Sequence, residues 1–319
     1  MADAFTTTAT VNSVQAAYER RSYFQLRKQF VFADAADVQP TAQSMPGSSV
    51  KFTIYNEFTP ATTTLSESVD VDAVAVSDAQ VTVTLLEKGN AALTTAKVRG
   101  TSFLGIQEDV SNIVNFNMLD SFETIIANVL VNGTNVTYAQ GGATRPPARN
   151  QIEPSDVLVG KDAMQSVAAL RGAAAVPFDG GYYRAYIHPD VSFDFRAATG
   201  GANWRDPHTY SSPEGIWAGE VGVFESSRFI ETARLPILAD AGSSTTLTDV
   251  YSTLFIGRQS LAMAYSSSVS APRPQVVVGE VVDKLRRFRP VGWYWLGGFG
   301  RFREAAIRRV ESASSIGAN

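Results

Sequence analysis

The chain has 319 residues, with 27 Lys and Arg against 31 Asp and Glu, and no cysteine. That length allows one large domain or two modest ones; the net charge of −4 argues against a dedicated nucleic-acid binder, which needs a basic field to release counterions; and the lack of cysteine excludes disulfides, zinc fingers, iron–sulfur clusters and thiol nucleophiles. A hydrophobic share of 45% is ample for a core, while charged residues stand at 18%, below the usual ~25%, as suits a chain that covers much of its surface with copies of itself or a neutral secreted protein.

The start of the chain lacks a basic segment followed by an apolar run, so no secretory leader is expected. No stretch reaches the ~18 apolar residues of a membrane span, and a cytoplasm-like compartment is expected. In that setting Asn132-Gly133-Thr134 and Asn135-Val136-Thr137 are chance matches to a glycosylation sequon.

Residues 1–49 read as an N-terminal arm. A Thr-rich start leads into a helical pattern over 14–30, where Ala17, Tyr18, Arg21, Phe24 and Lys28 recur at helical spacing; Pro40, Pro46 and Gly47 then break structure. Such a helix packs either on a neighbouring subunit or back on its own domain. Residues 50–87 carry the clearest strand signal: Val50, Phe52 and Ile54 alternate with polar positions, as do Val81, Val83 and Leu85. The stretch between them is long for a loop in a compact domain. Its further alternation at Val69, Val71, Val74 and Val76 predicts a two-stranded excursion, which needs a surface to lie on because an isolated hairpin is marginal in water.

Residues 101–131 are the best helix candidate. Ile106, Val110, Val114, Met118, Phe122, Ile126 and Leu130 recur every fourth position. Each such step turns ~40°, so the ridge winds through about 240° along a helix of roughly 40 Å and covers different sides at its two ends. A spine crossing a thin, elongated domain fits this pattern; the other arrangement is a central helix in a compact α+β fold. Asn132-Gly133 supplies a stop.

After a Gly/Pro-rich connection at 138–154, Ser155 or Asp156 is expected to cap a helix running to about Arg171. Residues 183–191 read as a strand ending at His188-Pro189, 199–219 as a turn-rich segment with Trp204 and Trp217, and 219–235 as a strand pair about Ser226-Ser227. Residues 251–265 fit helix or strand equally, and 276–278, 291–296 and 306–310 are short strand candidates. The expected class is α+β, without repeats and without the regular β-α alternation of doubly wound or barrel enzymes.

Chemistry is hard to find in this pattern. Gly160-Lys161 lacks the upstream glycine of a phosphate loop, and Gly298-Phe299-Gly300 fails the rest of a dinucleotide fingerprint. The two histidines, His188 and His208, each stand beside a proline without a second ligand at metal spacing. Asp70 and Asp72 alternate with apolar residues, as on the wet face of a hairpin rather than in an acid–base pair. No catalytic, cofactor-binding or metal-binding residue is therefore assigned, and the chain is not expected to be an enzyme. One charge feature stands apart. Lys284, Arg286, Arg287, Arg289, Arg301, Arg303, Arg308 and Arg309 crowd the C-terminal stretch, interleaved with Trp293, Tyr294, Trp295, Phe299 and Phe302. Aromatic packing with inter-subunit ion pairing is the favoured explanation, and contact with nucleic acid is the other.

Several short segments resemble the major capsid proteins of tailed phages, whose coat fold is named after the Hong Kong 97 phage. They are Val81-Thr82-Val83-Thr84-Leu85-Leu86-Glu87-Lys88-Gly89-Asn90-Ala91, Tyr186-Ile187-His188-Pro189-Asp190-Val191, Gly219-Glu220-Val221-Gly222 leading to Arg228-Phe229-Ile230-Glu231-Thr232, Val291-Gly292-Trp293, and Ala306-Ile307-Arg308-Arg309-Val310-Glu311. Their order and spacing, from about residue 50 onward, carry the match; residues 296–303 depart from it. The resemblance implies an arm over 1–49, an extended β loop over 50–87 lying on a neighbour, and a peripheral domain over 88–150 holding the spine helix. It also implies an axial domain over 151–275 and late strands over 276–319 returning to both domains. It further implies self-assembly through hexamers and pentamers into an icosahedral shell around double-stranded DNA held without sequence-specific binding, within a virion assembled in the host cytoplasm. Scaffold, portal and cement proteins are the implied partners; no cofactor and no membrane are implied. Covalent cross-linking occurs in one branch of this fold, and Lys51 and Lys88 are expected to be ordinary surface residues. A cellular nanocompartment shell of the same fold is the competing function, and a hydrolase or carbohydrate-binding β protein a more distant one.

Overall fold

The structure, a computed structural model, describes residues 31–32, 38–43, 47–65, 67–68, 70–102, 105–178, 180–197, 220–271, 273–281 and 283–316. The helix expected over 14–30 and the turn-rich 199–219 segment, with His208, lie outside these residues. Strands β1 (Val38–Gln43), β2 (Ser49–Tyr55), β3 (Asp78–Thr84) and β4 (Leu86–Thr95) precede helices α1 (Ala96–Thr101) and α2 (Ile106–Val131). Then come β5 (Val136–Tyr138), α3 (Gly160–Gly172), β6 (Tyr183–Ile187), α4 (Pro189–Ala197), β7 (Glu220–Phe224), β8 (Ser227–Glu231) and β9 (Ile237–Leu238). The chain closes with β10 (Val250–Ile256), β11 (Leu261–Ser266), β12 (Gln275–Val278), β13 (Phe288–Arg301) and β14 (Ile307–Ser312).

Two sheets organise these elements. The smaller is built on β13, whose fourteen residues pair along one stretch with β4 and along two successive stretches with β11 and β12; β1 adds outside β11. The larger has the order β5-β14-β10-β6-β8-β7, with β9 beside the start of β10. Every residue of β10 is buried. Tyr251 and Phe255 face the core shared with α3 and α4, while Leu254 and Ile256 face the core shared with α2. A strand covered on both faces reads as a continuous apolar run, which is why 251–265 had no decisive period. The run is two strands, β10 and β11, broken at 257–260, where Gln259 takes φ 57°. Because β11 already pairs with β13, residues 261–266 run in the smaller sheet.

Helix α2 is the spine, and it starts later than expected. Residues 96–101 form the separate α1, and α2 begins at Ile106 behind Gly105, with Glu108 and Asp109 in its first turn, where the helix dipole favours acids. Its burial follows the four-residue ridge from Val114 through Met118, Phe122, Ile126 and Leu130, and near the C-terminus spreads to Glu123, Ala127 and Val131. Ile106 and Val110, at the other end, are only half-buried. The ridge packs on the odd face of β13: the Phe122 ring stands 4.8 Å from Trp295 and 5.0 Å from Phe299. Asn117 Oδ1 accepts from the Trp293 indole at 3.1 Å and from Asn90 at 3.2 Å, tying helix, β13 and β4 together. On the helix's other side the Glu123 carboxylate accepts the backbone N–H groups of Val31 and Phe32, at 3.1 and 2.9 Å. Phe32, fully buried, then packs its ring at a tilt, 4.7 Å from that of Tyr186 in the larger sheet. Val31 and Phe32 of the arm are thus held between α2 and the larger sheet of their own chain.

Local chemistry explains three further departures from the expected elements. The helix expected to be capped at Ser155 or Asp156 begins at Gly160, and Asp162 Oδ2 accepts the Val159 N–H at 3.3 Å instead. The strand expected over 183–191 stops at Ile187 because Pro189 opens α4, a position where a missing N–H costs nothing. The hairpin expected about Ser226-Ser227 turns one residue earlier: Glu225 and Ser226 take φ 45° and 60°, the two left-handed positions that match a tight hairpin to strand twist. The glycines of 296–303 are also accounted for. A Cβ on Gly298 would sit 2.1 Å from the Thr84 carbonyl oxygen, so β3 crosses β13 only over a residue without a side chain.

The C-terminal end of α2 is held by Arg301 of the basic stretch and by the nearby Glu304. Arg301 donates to the Val129 carbonyl at 3.2 Å and to Glu304 at 2.7 Å, and Glu304 Oε1 accepts the Thr134 N–H at 2.6 Å. Burial alone would raise the Glu304 carboxyl, but the Thr134 N–H, Arg301 and the Asn135 N–H together hold it below the usual range. A depressed carboxyl contributes stability above its unfolded pKa and loses it as pH falls through its folded one. Glu304→Gln is therefore expected to cost about 1 kcal/mol at neutral pH, given its partial exposure. The gap between the two urea midpoints should close as the pH drops below the ordinary glutamate range; a gap that persists in acid would contradict the assignment.

Candidate assembly surfaces

Strands β2 and β3 pair over seven residues, from Ser49↔Thr84 to Tyr55↔Asp78. Val50, Phe52, Val83 and Leu85 seal the hairpin's base against Ala262, Ala264, Leu296 and Phe302 on the far face of the smaller sheet. The base thus rests on its own chain. Past Tyr55 the ladder ends. The described residues of 56–77 carry no strand, so the two-stranded excursion expected through them ends with the β2–β3 ladder; Val69 lies outside the described residues. This stretch exposes Phe58 at 57%, Leu65 at 72%, Val71 at 59%, Val74 at 72% and Val76 at 65%. Apolar side chains in such number on one loop mark a contact surface. The acids on it, Glu57, Glu67, Asp70 and Asp72, are all exposed. At the other end of the 50–87 span, Leu86 and Glu87 already belong to β4, and Lys88 is half-buried there, its ammonium pulled down by burial.

The basic stretch divides into inward and outward parts. Inward, Glu311 is fully buried and is gripped by Arg149 through two hydrogen bonds of 2.6 and 2.7 Å. Arg309 Nε stands 3.0 Å from the same carboxylate. Burial pulls the Arg309 guanidinium down, while the hydrogen bond to Glu311 pushes Arg149 up. This triad pins β14 to the 3₁₀ turn at Arg149–Gln151. Outward, Lys284, Arg286, Arg287 and Arg289 are exposed at the start of β13, where Arg287 pairs with Asp283. The aromatic residues divide the same way, Trp293 and Trp295 inward and Tyr294 to solvent.

The remaining polar clusters are built into the fold. His188 is largely buried, its Nδ1 3.3 Å from Asp190 and its ring 5.1 Å from Tyr251. Burial, with Asp190 beside it, pushes the Tyr251 phenol up to about 12. Asp194 accepts the Ser315 N–H at 2.8 Å and so anchors the chain's last described turn. Asp162, raised by burial, is held by the N–H groups of Gln140 and Val159 and by Arg145. Asp162 and Asp194 each tie a loop to a helix, and Asp190 ties α4 to Tyr251 of β10. Among the described residues, no group of three or more histidine, aspartate or glutamate side chains could hold a metal ion, and no helix is long and apolar enough to cross a membrane.

A spine helix laid on one sheet, a second sheet covered by helices, and an extended loop leaving the first sheet together form the architecture of a phage coat subunit. The capsid of Ralstonia phage GP4 superposes with a TM-score of 0.78 at 12% identity, covering 97% of this chain and 98% of that one. The cyanophage Pam1 capsid gives 0.73 at 13%, over 99% and 100%, and the head of Helicobacter pylori bacteriophage KHP40 gives 0.66 at 11%, over 97% of both. Residues 7–316 match the phage capsid protein family, and the chain belongs to it. No curated protein matches the sequence. The chain is a structural shell protein of the virion capsid.

Proposed function

We propose that copies of this chain assemble through hexamers and pentamers into an icosahedral shell that encloses double-stranded phage DNA, and that the chain performs no catalysis. The observation that carries this is the loop at 56–77, which displays apolar side chains and carboxylates that find no ion-pair partner among the described residues. A subunit that keeps such a surface in solution has it covered in its assembled state. On this basis the smaller sheet with α2 is the peripheral domain, and the larger sheet with α3 and α4 is the axial domain. The 56–77 loop reaches a neighbour. Assembly in the host cytoplasm, with scaffold and portal proteins and with cement proteins outside, follows from the same kind of subunit.

A cellular compartment of the same fold would enclose enzymes instead of a genome; membership in the phage capsid family favours the virion. The test is to sediment particles from infected cells and digest them with nuclease. Protected double-stranded DNA inside shells of this chain is expected, and shells that never protect DNA would overturn the proposal in favour of the compartment.

A further inference from the structure

Among the described residues the chain passes three times between the smaller sheet with its helix α2 and the larger sheet. The passages run from α2 to β5 at 132–135, from β10 to β11 at 257–260, and from β13 to β14 at 302–306. All three meet at one place. Gly257 N–H donates to the Ala306 carbonyl and Phe302 N–H to the Ser260 carbonyl, both at 2.9 Å, so the second passage is laid along the third by backbone alone. Asn135, at the end of the first passage, is tied in the same lasting way. Its carbonyl accepts the Arg309 N–H at 3.0 Å, and its side-chain amide donates to the Glu304 carbonyl at 2.8 Å.

The part of the first passage nearer α2 is held by one carboxylate. Glu304 Oε1 accepts the Thr134 N–H at 2.6 Å, the Thr134 hydroxyl at 3.1 Å and the Asn135 N–H at 3.3 Å. Its Oε2 accepts from Arg301, which also donates to the Val129 carbonyl in the last turn of α2. A Cβ on residue 133 would stand 2.9 Å from Glu304 Oε1, so glycine there gives the carboxylate its place. Glu304 is the one acid on the three passages. The cations on or beside them are Arg258, Arg301, Arg303, Arg308 and Arg309, and the last turn of α2 has none. On the adjoining strands, Tyr138 lies on β5, and Glu311 on β14 is engaged by Arg149 and Arg309.

A carboxyl that takes up a proton turns one of its oxygens into a donor. Backbone N–H groups and a guanidinium cannot accept from it; of the partners here only the Thr134 hydroxyl can. We infer that Glu304 is an acid-released clasp: in acid the last turn of α2 and residues 133–134 come away from the β13–β14 passage, while both sheets stay folded. The opening stops at Asn135, whose other bonds do not involve the carboxylate, and it leaves the second passage in place. Local openings of this kind lie well below the free energy of global unfolding. The Thr134 N–H, Arg301 and the Asn135 N–H outweigh the effect of burial and hold the carboxyl low, so the clasp stays shut at neutral and mildly acid pH and is lost as pH falls through its folded pKa. The angle at which α2 delivers the chain to the larger sheet is thereby made to depend on pH.

Hydrogen exchange of the full chain tests this, read at single amides as protection relative to a free peptide at the same pH. Between neutral pH and about pH 3, Thr134 and Asn135 are expected to lose roughly tenfold of their protection or more, while Gly257 and Phe302 keep theirs. Glu304→Gln, which carries an acceptor and a donor as the protonated acid does, is expected to show the low values at Thr134 and Asn135 already at neutral pH, with no further fall in acid. Should that variant fail to fold, the pH series of the native chain decides alone. Unchanged protection at Thr134 and Asn135 in acid, native-like protection there in the folded variant, or an equal loss at all four amides would overturn the inference.

Discussion

Replacing residues 57–76 by a two-residue Asn-Gly turn is expected to leave a folded subunit that forms no stable shells. The deletion removes none of the four apolar clusters among the described residues. It keeps the seven-residue ladder between β2 and β3 and the seal of Val50, Phe52, Val83 and Leu85 on the smaller sheet. It also keeps Asn56 and Ser77, which are already bonded backbone to backbone and side chain to side chain at 3.0 Å. A short turn of this kind matches the twist of the strands it joins. The thermal midpoint should therefore stay within a few degrees of the full chain's, while the exposed loop surface that a second copy would cover is gone. Circular dichroism and sedimentation separate the two effects. Normal shells from the shortened chain would refute the loop's role, and an unfolded chain would show that the loop supports its own subunit.

The largest expected effect on stability comes from Glu311→Ala. The Glu311 carboxylate is fully buried and balances two guanidinium groups. With it gone, Arg149, whose side chain is 40% exposed, can swing into solvent, but Arg309, at 9%, cannot. A buried charge left without its partner costs about 3–5 kcal/mol, enough to remove a large share of the stability of an ordinary domain. Replacing all three together, as Arg149→Met/Glu311→Leu/Arg309→Met, should restore most of the loss, because an apolar cluster of similar volume often matches a buried ion cluster. Urea denaturation of the three proteins measures this. A single variant as stable as the parent would mean that the triad holds nothing in place.

Much of the fold was legible from periodicity, and the exceptions have physical causes. Alternation at Val50, Phe52 and Ile54 and at Val81 and Val83 located β2 and β3, because each strand has one wet face. The four-residue ridge located α2, but its start was set five residues early, since Thr101 closes α1 and Gly105 opens the longer helix. Helix α4 was missed although Pro189-Asp190 is a recognised opening pair, because the apolar run before it read as one strand. Strand β10 carried no period at all, being buried on both sides.

The candidate surfaces were legible by composition and not by position. Acid in the loop and base near the C-terminus can be counted in the sequence, but only the register of β4 on β13 puts them at opposite ends of one sheet. Likewise the split of the basic stretch into the inward Arg309 and Arg301 and the outward Lys284 to Arg289 depends on which strand face each occupies. The alternation at Val71, Val74 and Val76 misled because the described residues there form no strand and leave these side chains exposed.

Electron microscopy of the purified, concentrated full chain tests the central claim most directly. Closed isometric shells, with five-fold and six-fold clusters of this subunit in the averaged images, are the result predicted here; uniform monomers under every assembly condition tried would contradict it.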